Sequence, residues 1–147
     1  MSNFFDVVQL TKQDANGISL IEKVCFAHPW SQKSIEDSFD NNTIFFGALC
    51  NNEIIGYCGI QTVCGEGYIT NIAVLAEYRK KGVGQALVDR LILFADQQKL
   101  AFITLEVRVS NLDAVSLYTK SGFKNMGTRK NFYRDPSEDA YIMTRQM

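Results

Sequence analysis

Proline and histidine are nearly missing from this chain of 147 residues, which holds only Pro29, Pro136 and His28, together with a single tryptophan, Trp30. One histidine cannot complete a familiar zinc set with Cys25, Cys50, Cys58 and Cys64, which show no paired C-x-x-C spacing, so no metal is expected. The cysteines read as reduced thiols: Cys50 and Cys58 lie in apolar alternating stretches and Cys64 falls at a turn. A Cys64 and His28 nucleophilic pair is conceivable, but the sequence offers no third group to orient it. No apolar run approaches the 18 or so residues of a membrane span, and Met1 to Asp6 carries neither a basic nor a long apolar region. A formal charge of −1 with both signs interspersed leaves no overall field for nucleic acid. The expectation is a soluble cytoplasmic protein, a monomer in solution, with no membrane partner and no direct nucleic-acid partner.

What is present suits one domain, 1–147: 46% hydrophobic residues, with no repeats, linkers or low-complexity tracts. Alternating and continuous apolar runs predict strands over Val7–Leu10, Ile44–Cys50, Ile54–Val63, Tyr68–Val74, Ala101–Val107, Phe123–Asn131 and Ala140–Gln146. Asn51-Asn52 and Cys64-Gly65-Glu66-Gly67 read as hairpin turns. Helices are predicted over Asp14–Phe26 with Thr11 as cap, and over Ser31–Asp40 after Pro29. Two more follow, one from Val83 to Gln98-Lys99 and one capped by Asn111 and ended by Gly122. This order implies an α+β fold whose largely antiparallel sheet holds one parallel pair, Tyr68–Val74 beside Ala101–Val107.

The most informative stretch is Arg79-Lys80-Lys81-Gly82-Val83-Gly84, between that strand and a helix. Glycines let the backbone approach a phosphate, the amides of a helix N-terminus point partial positive charge at it, and three cations stand beside them. A diphosphate-bearing ligand follows. A P-loop is excluded because Gln85-Ala86 follows Gly84 where Lys-Ser/Thr is needed. A dinucleotide fingerprint would need Gly where Leu87 stands and a turn directly at the strand's end, although Glu106 lies near the spacing of a ribose-binding acid.

Arg79 to Gly84 resembles, position by position, the Arg/Gln-x-x-Gly-x-Gly/Ala loop of the GNAT superfamily of N-acetyltransferases. Within it the chain is similar to the RimI-type ribosomal-protein-alanine N-terminal acetyltransferases at His28-Pro29-Trp30, Asn71 to Val74, Leu105 to Arg108, Asn111, Leu117-Tyr118, Gly122-Phe123, Asn131 to Tyr133 and Glu138 to Ala140. The departures are Arg79, where many relatives have Gln, and Phe132, where a tyrosine is frequent. The resemblance implies a mixed, mostly antiparallel seven-stranded sheet flanked by four helices, its central parallel strands splayed to admit the pantetheine arm of acetyl-CoA. By that match Ile72, Ala73 and Val74 hold the arm, while Arg79, Lys80, Lys81, Gly82, Val83, Gly84 and Gln85 form the pyrophosphate cradle. Asn111 serves as both helix cap and coenzyme contact. His28, Trp30, Tyr133 and Glu138 fall on the acceptor side, and the implied partner is a protein N-terminus, most specifically the N-terminal alanine of a small-subunit ribosomal protein.

Acyl transfer to an amine needs the neutral amine, a donor for the developing oxyanion and a proton for the departing thiolate. An α-amine, with a reference pKa of about 7.7–8.0, is partly neutral at pH 7, whereas lysine starts roughly 3 kcal/mol worse. For Glu106, within Ile103–Val107, pattern alone leaves two readings: a base acting through water, or an outward-facing acid sharing a face with Thr104. Tyr118 matches the tyrosine taken to protonate the coenzyme A thiolate, against the plainer reading of a core aromatic with its hydroxyl at the rim. The Val74 amide is a candidate oxyanion donor. His28-Pro29-Trp30 equally suits a fixed helix entry, and Glu138 a solvated loop acid. Two rivals stay open: a relative acetylating a small amine or a protein lysine, and a non-catalytic acyl-CoA-binding module.

Overall fold

Seven strands form one sheet in the order β1-β2-β3-β4-β5-β7-β6. The computed structural model describes residues 4–147; Met1, Ser2 and Asn3, and with them the reading of that stretch as leader-free, lie outside the described residues. The chain runs β1 (Asp6–Gln9), α1 (Ala15–Cys25), α2 (Gln32–Asp40), β2 (Thr43–Cys50), β3 (Glu53–Val63), β4 (Glu66–Val74), α3 (Val83–Gln97), β5 (Phe102–Arg108), α4 (Leu112–Lys120), β6 (Lys124–Tyr133) and β7 (Glu138–Gln146). None of the described helices is long and apolar enough to cross a membrane.

Most elements lie within two residues of their expected bounds, and the differences have local causes. Thr11 does not cap α1 itself: its amide bonds the Asp14 carboxylate at 2.8 Å, around a 3-10 turn over Lys12–Asp14 that leads into the helix. Cys64 and Gly65 both take positive φ, so two residues close the β3–β4 hairpin, and Glu66 and Gly67 join the ladder opposite Val63 and Thr62. At the last hairpin Asn131 turns to φ 55 and its amide bonds the Asp139 carboxylate, after which Tyr133 pairs with Glu138. Both strands therefore extend beyond their apolar runs.

Each face of the sheet carries its own core. On one face α3 presents Val83, Leu87, Val88, Leu91 and Ala95, all essentially inaccessible, to Ile60, Ile103, Leu105 and Val107. On the other, α1 and α2 bury Ile18, Ile21 and Ile35 against Phe45, Tyr57 and Ala73. Each large aliphatic side chain so buried contributes roughly 1.5–3 kcal/mol. Alternation in β5 sends Ile103, Leu105 and Val107 to the α3 side and Thr104, Glu106 and Arg108 to the other.

One glycine shapes the centre of the sheet. The β3–β4 register passes from Gly59–Asn71 to Ile60–Ile69, leaving Thr70 as an extra residue in a bulge. A Cβ on Gly59 would meet Thr70 Oγ1 at 2.5 Å and the buried Phe45 ring at 2.9 Å. Gly59→Ala is therefore expected to cost about 1–3 kcal/mol by overpacking, measured as a lower urea midpoint at constant m-value.

Candidate active site

The parallel pair does not stay paired. Strands β4 and β5 are in register only at Gly67–Ile103 and Tyr68–Thr104; beyond the Thr70 bulge they part. From Ile69 to Val74 the β5 side of β4 therefore has no neighbouring strand, and a main-chain edge lies open at the centre of a sheet. The gap opens into a cavity of about 360 Å³ that brings together His28, Trp30, Ile72, Glu106, Asn111, Tyr118 and Tyr133 from the sequence-derived candidates. An extended arm with amide groups fits such an edge as an added strand would.

At the far end of β4 the loop before α3 forms an anion cradle. Lys80 and Gly82 both adopt left-handed backbone, φ 60 and 89, and Gly82 is the N-cap of α3 without any side-chain cap. The first-turn amides are left for a ligand, no acid stands in that turn, and Lys80 and Lys81 are exposed beside it. A Cβ on Gly82 would meet nothing within 4 Å, so the space before these amides is open. Gln85 turns its side chain to Asp89 and Ser121, leaving its main chain for the cradle. Arg79 is engaged elsewhere. Its Nε donates to the Val74 carbonyl at 2.8 Å and its guanidinium touches Cys25 Sγ, so it braces the end of β4.

Because the cavity passes through the sheet, side chains enter it from both faces. Tyr118 comes from α4 on the α3 side, 7% exposed, with its ring tilted against Phe123. Burial pushes its phenol up, with Tyr133 adding to the effect, so Tyr118 is a protonated donor throughout the neutral range. Glu106 enters from the opposite face. Its carboxylate is 31% exposed and pairs with Arg129 Nε at 3.4 Å; it is neither sealed in apolar surroundings nor turned away from the cavity. Asn111 caps α4 by accepting from the Ala114 amide at 3.2 Å, which leaves its NH2 group free to donate.

The acceptor-side walls are the α1–α2 loop and the β6–β7 hairpin. His28 Nε2 bonds the Asp135 carboxylate and joins them. Arg108 stacks over the Tyr133 ring at 4.4 Å and donates to the Pro136 and Arg134 carbonyls, fixing the hairpin. Burial, then Glu106, pushes the Tyr133 phenol up to about 12. Glu138 stands outside the lining: its carboxylate accepts from the Ser110 amide at 2.7 Å and from Arg108, and these hold it below the usual carboxylate range. Its charge is already matched within the fold.

Glu22 was not among the sequence-derived candidates. It is buried at 1% exposure and lines the cavity, accepting from Tyr57 Oη at 2.6 Å, Asn71 Nδ2 at 3.3 Å and the Trp30 amide at 3.0 Å. The available signal was an acid inside an apolar helical stripe, beside Ile18, Ile21 and Cys25.

Residues 15–123 match the acetyltransferase (GNAT) family. The chain is 35% identical over 125 residues, 84% of each chain, to the ribosomal protein bS18-alanine N-acetyltransferase of Escherichia coli, and 34% identical over 140 residues to that of Haemophilus influenzae, covering 93% of this chain and 95% of the relative. The crystal structure of the Escherichia coli ribosomal-protein-S18-alanine N-acetyltransferase superposes with a TM-score of 0.89 at 32% identity, covering 97% of this chain and 93% of the other.

Proposed function

The chain belongs to the acetyltransferase (GNAT) family, and we propose that it transfers an acetyl group from acetyl-CoA to the N-terminal α-amine of a protein. The acceptor favoured by the names of its relatives is the N-terminal alanine of ribosomal protein bS18. The carrying observation is the His28–Asp135 bridge between two walls of the cavity. A chain end can enter beside it, whereas a lysine must present its amine from a main chain that continues in both directions.

Acetyl-CoA, when bound, supplies the activated acetyl group. The main chain of Ile72 to Val74 and the amide of Asn111's side chain would hold its arm, and the amides of Lys80 to Gln85 with the lysine side chains would hold its diphosphate. Glu106, facing the cavity and open to water, accepts the proton of the incoming amine directly or through water. Tyr118 donates to the sulfur from the opposite face. Burial keeps its phenol protonated, so Tyr118 would hold a proton for the departing sulfur.

The test is incubation with acetyl-CoA and a panel of peptides bearing free or blocked N-termini, followed by mass spectrometry. Acetylation at the α-amine of alanine-initiated peptides is expected. Modification of blocked peptides at lysine alone overturns the α-amine assignment, and turnover only of free small amines supports the rival acceptor class.

A further inference from the structure

Among the described residues no cation lies within ion-pair distance of Glu22. Its three partners, Tyr57, Asn71 and the Trp30 amide, are neutral donors, which solvate a carboxylate without cancelling its charge. Glu22 also lies in the last turn of α1, where the helix dipole disfavours an anion. Burying such a group costs several kcal/mol against a neutral side chain of the same shape, so as a fold brace it is poorly chosen. Its position gives it another use. The carboxylate belongs to the lining of the cavity, beside Trp30 and Asn71, and its own burial lets its field reach the interior. The cavity's other acid, Glu106, has the Arg129 guanidinium 3.4 Å away. Among the described residues Glu22 is thus the lining acid without a cation at ion-pair distance, while Arg108 and Arg134 stand elsewhere in the same lining.

We infer that Glu22 is a specificity-determining residue whose buried charge draws the protonated amine into the cavity, leaving the proton transfer to Glu106. The inference rests on the amine-acetylation reading above. An α-amine arrives at pH 7 mainly as ammonium, its reference pKa being about 7.7–8.0, so an enzyme that relied on a neutral entrance would meet only a minor fraction of its acceptor. The charge also sets selectivity: a cation is favoured over an already acetylated terminus or a hydroxyl of the same shape.

Glu22→Gln isolates the charge. Gln can keep accepting from the Trp30 amide and donate to Tyr57 Oη, with the Asn71 amide turned to present its oxygen. The measurement is calorimetric binding, at pH 7 with coenzyme A present, of an alanine-initiated peptide and of its analogue with hydrogen in place of the amine. The wild-type protein is expected to prefer the amine peptide. Glu22→Gln should lose about tenfold in affinity for it, bind the deaminated analogue unchanged, and melt no lower than wild type. Tyr57→Phe removes a donor but keeps the charge, and should retain the preference. Equal affinity of the wild type for both ligands, an equal loss for both in Glu22→Gln, or the same loss of preference in Tyr57→Phe overturns the inference. If the acceptor proves to be a lysine or a small amine, the α-amine reading fails, and the same comparison made with that amine and its deaminated analogue still decides Glu22.

Discussion

Glu106→Gln is expected to lower kcat for an alanine-initiated peptide by about 100-fold or more, the usual scale of a lost general base. Gln matches the shape of Glu and still fills the space beside Arg129, which is exposed enough to be hydrated when its partner loses charge. What Gln cannot do is accept the proton of the ammonium. The affinity for acetyl-CoA should change less than about threefold, because the cradle and the β4 edge are separate from this side chain. A second signature follows from the acceptor's own titration. Above a reference pKa of about 7.7–8.0 an α-amine loses its proton in solution, so the gap between variant and wild type should narrow as the assay is taken from pH 7 to pH 9. A kcat within threefold of wild type at pH 7 would leave Glu106 as merely an acid held by Arg129.

Gly82→Glu should abolish coenzyme binding, with an affinity loss of more than about 100-fold read by calorimetry. Two effects combine there. The residue at φ 89 caps an α3 terminus whose amides lack a side-chain partner, and a carboxylate placed in the open space before them occupies the diphosphate's position and repels it. Left-handed backbone costs a non-glycine residue roughly 1–2 kcal/mol, so Gly82→Ala is the control: it carries the strain without the charge and should destabilise the fold while keeping affinity within severalfold of wild type. Unchanged coenzyme affinity in folded Gly82→Glu would remove the loop from the binding site.

The cradle was legible from sequence because everything that makes it is contiguous. Six neighbouring residues provide the glycines, the cations and the helix start, and local backbone preference fixes their conformation with little help from the remainder of the chain. The same holds for Asn51-Asn52 and for Gly122, each of which takes the positive φ its turn requires. For Glu106, alternation in β5 set the face, but not the gap into which that face looks. The gap exists because β4 and β5 pair at only two positions, both before the Thr70 bulge, and no local rule reports where two strands of a sheet will part.

The acceptor end lay further beyond reach. His28 and Asp135 are 107 residues apart, and Glu22 lies 49 from Asn71 and 35 from Tyr57. In the sequence His28 sits in an ordinary helix entry, Glu22 is an acid on a helix, and Glu138 looks like a free anion although Arg108 and the Ser110 amide hold it. By itself the sequence determined the periodicities, turns and phosphate loop, because short-range sterics and hydrogen bonding decide them. Only the tertiary structure decided which charges are matched and which stand alone, because an ion's partners come from distant segments and its effective strength depends on the water that packing removes.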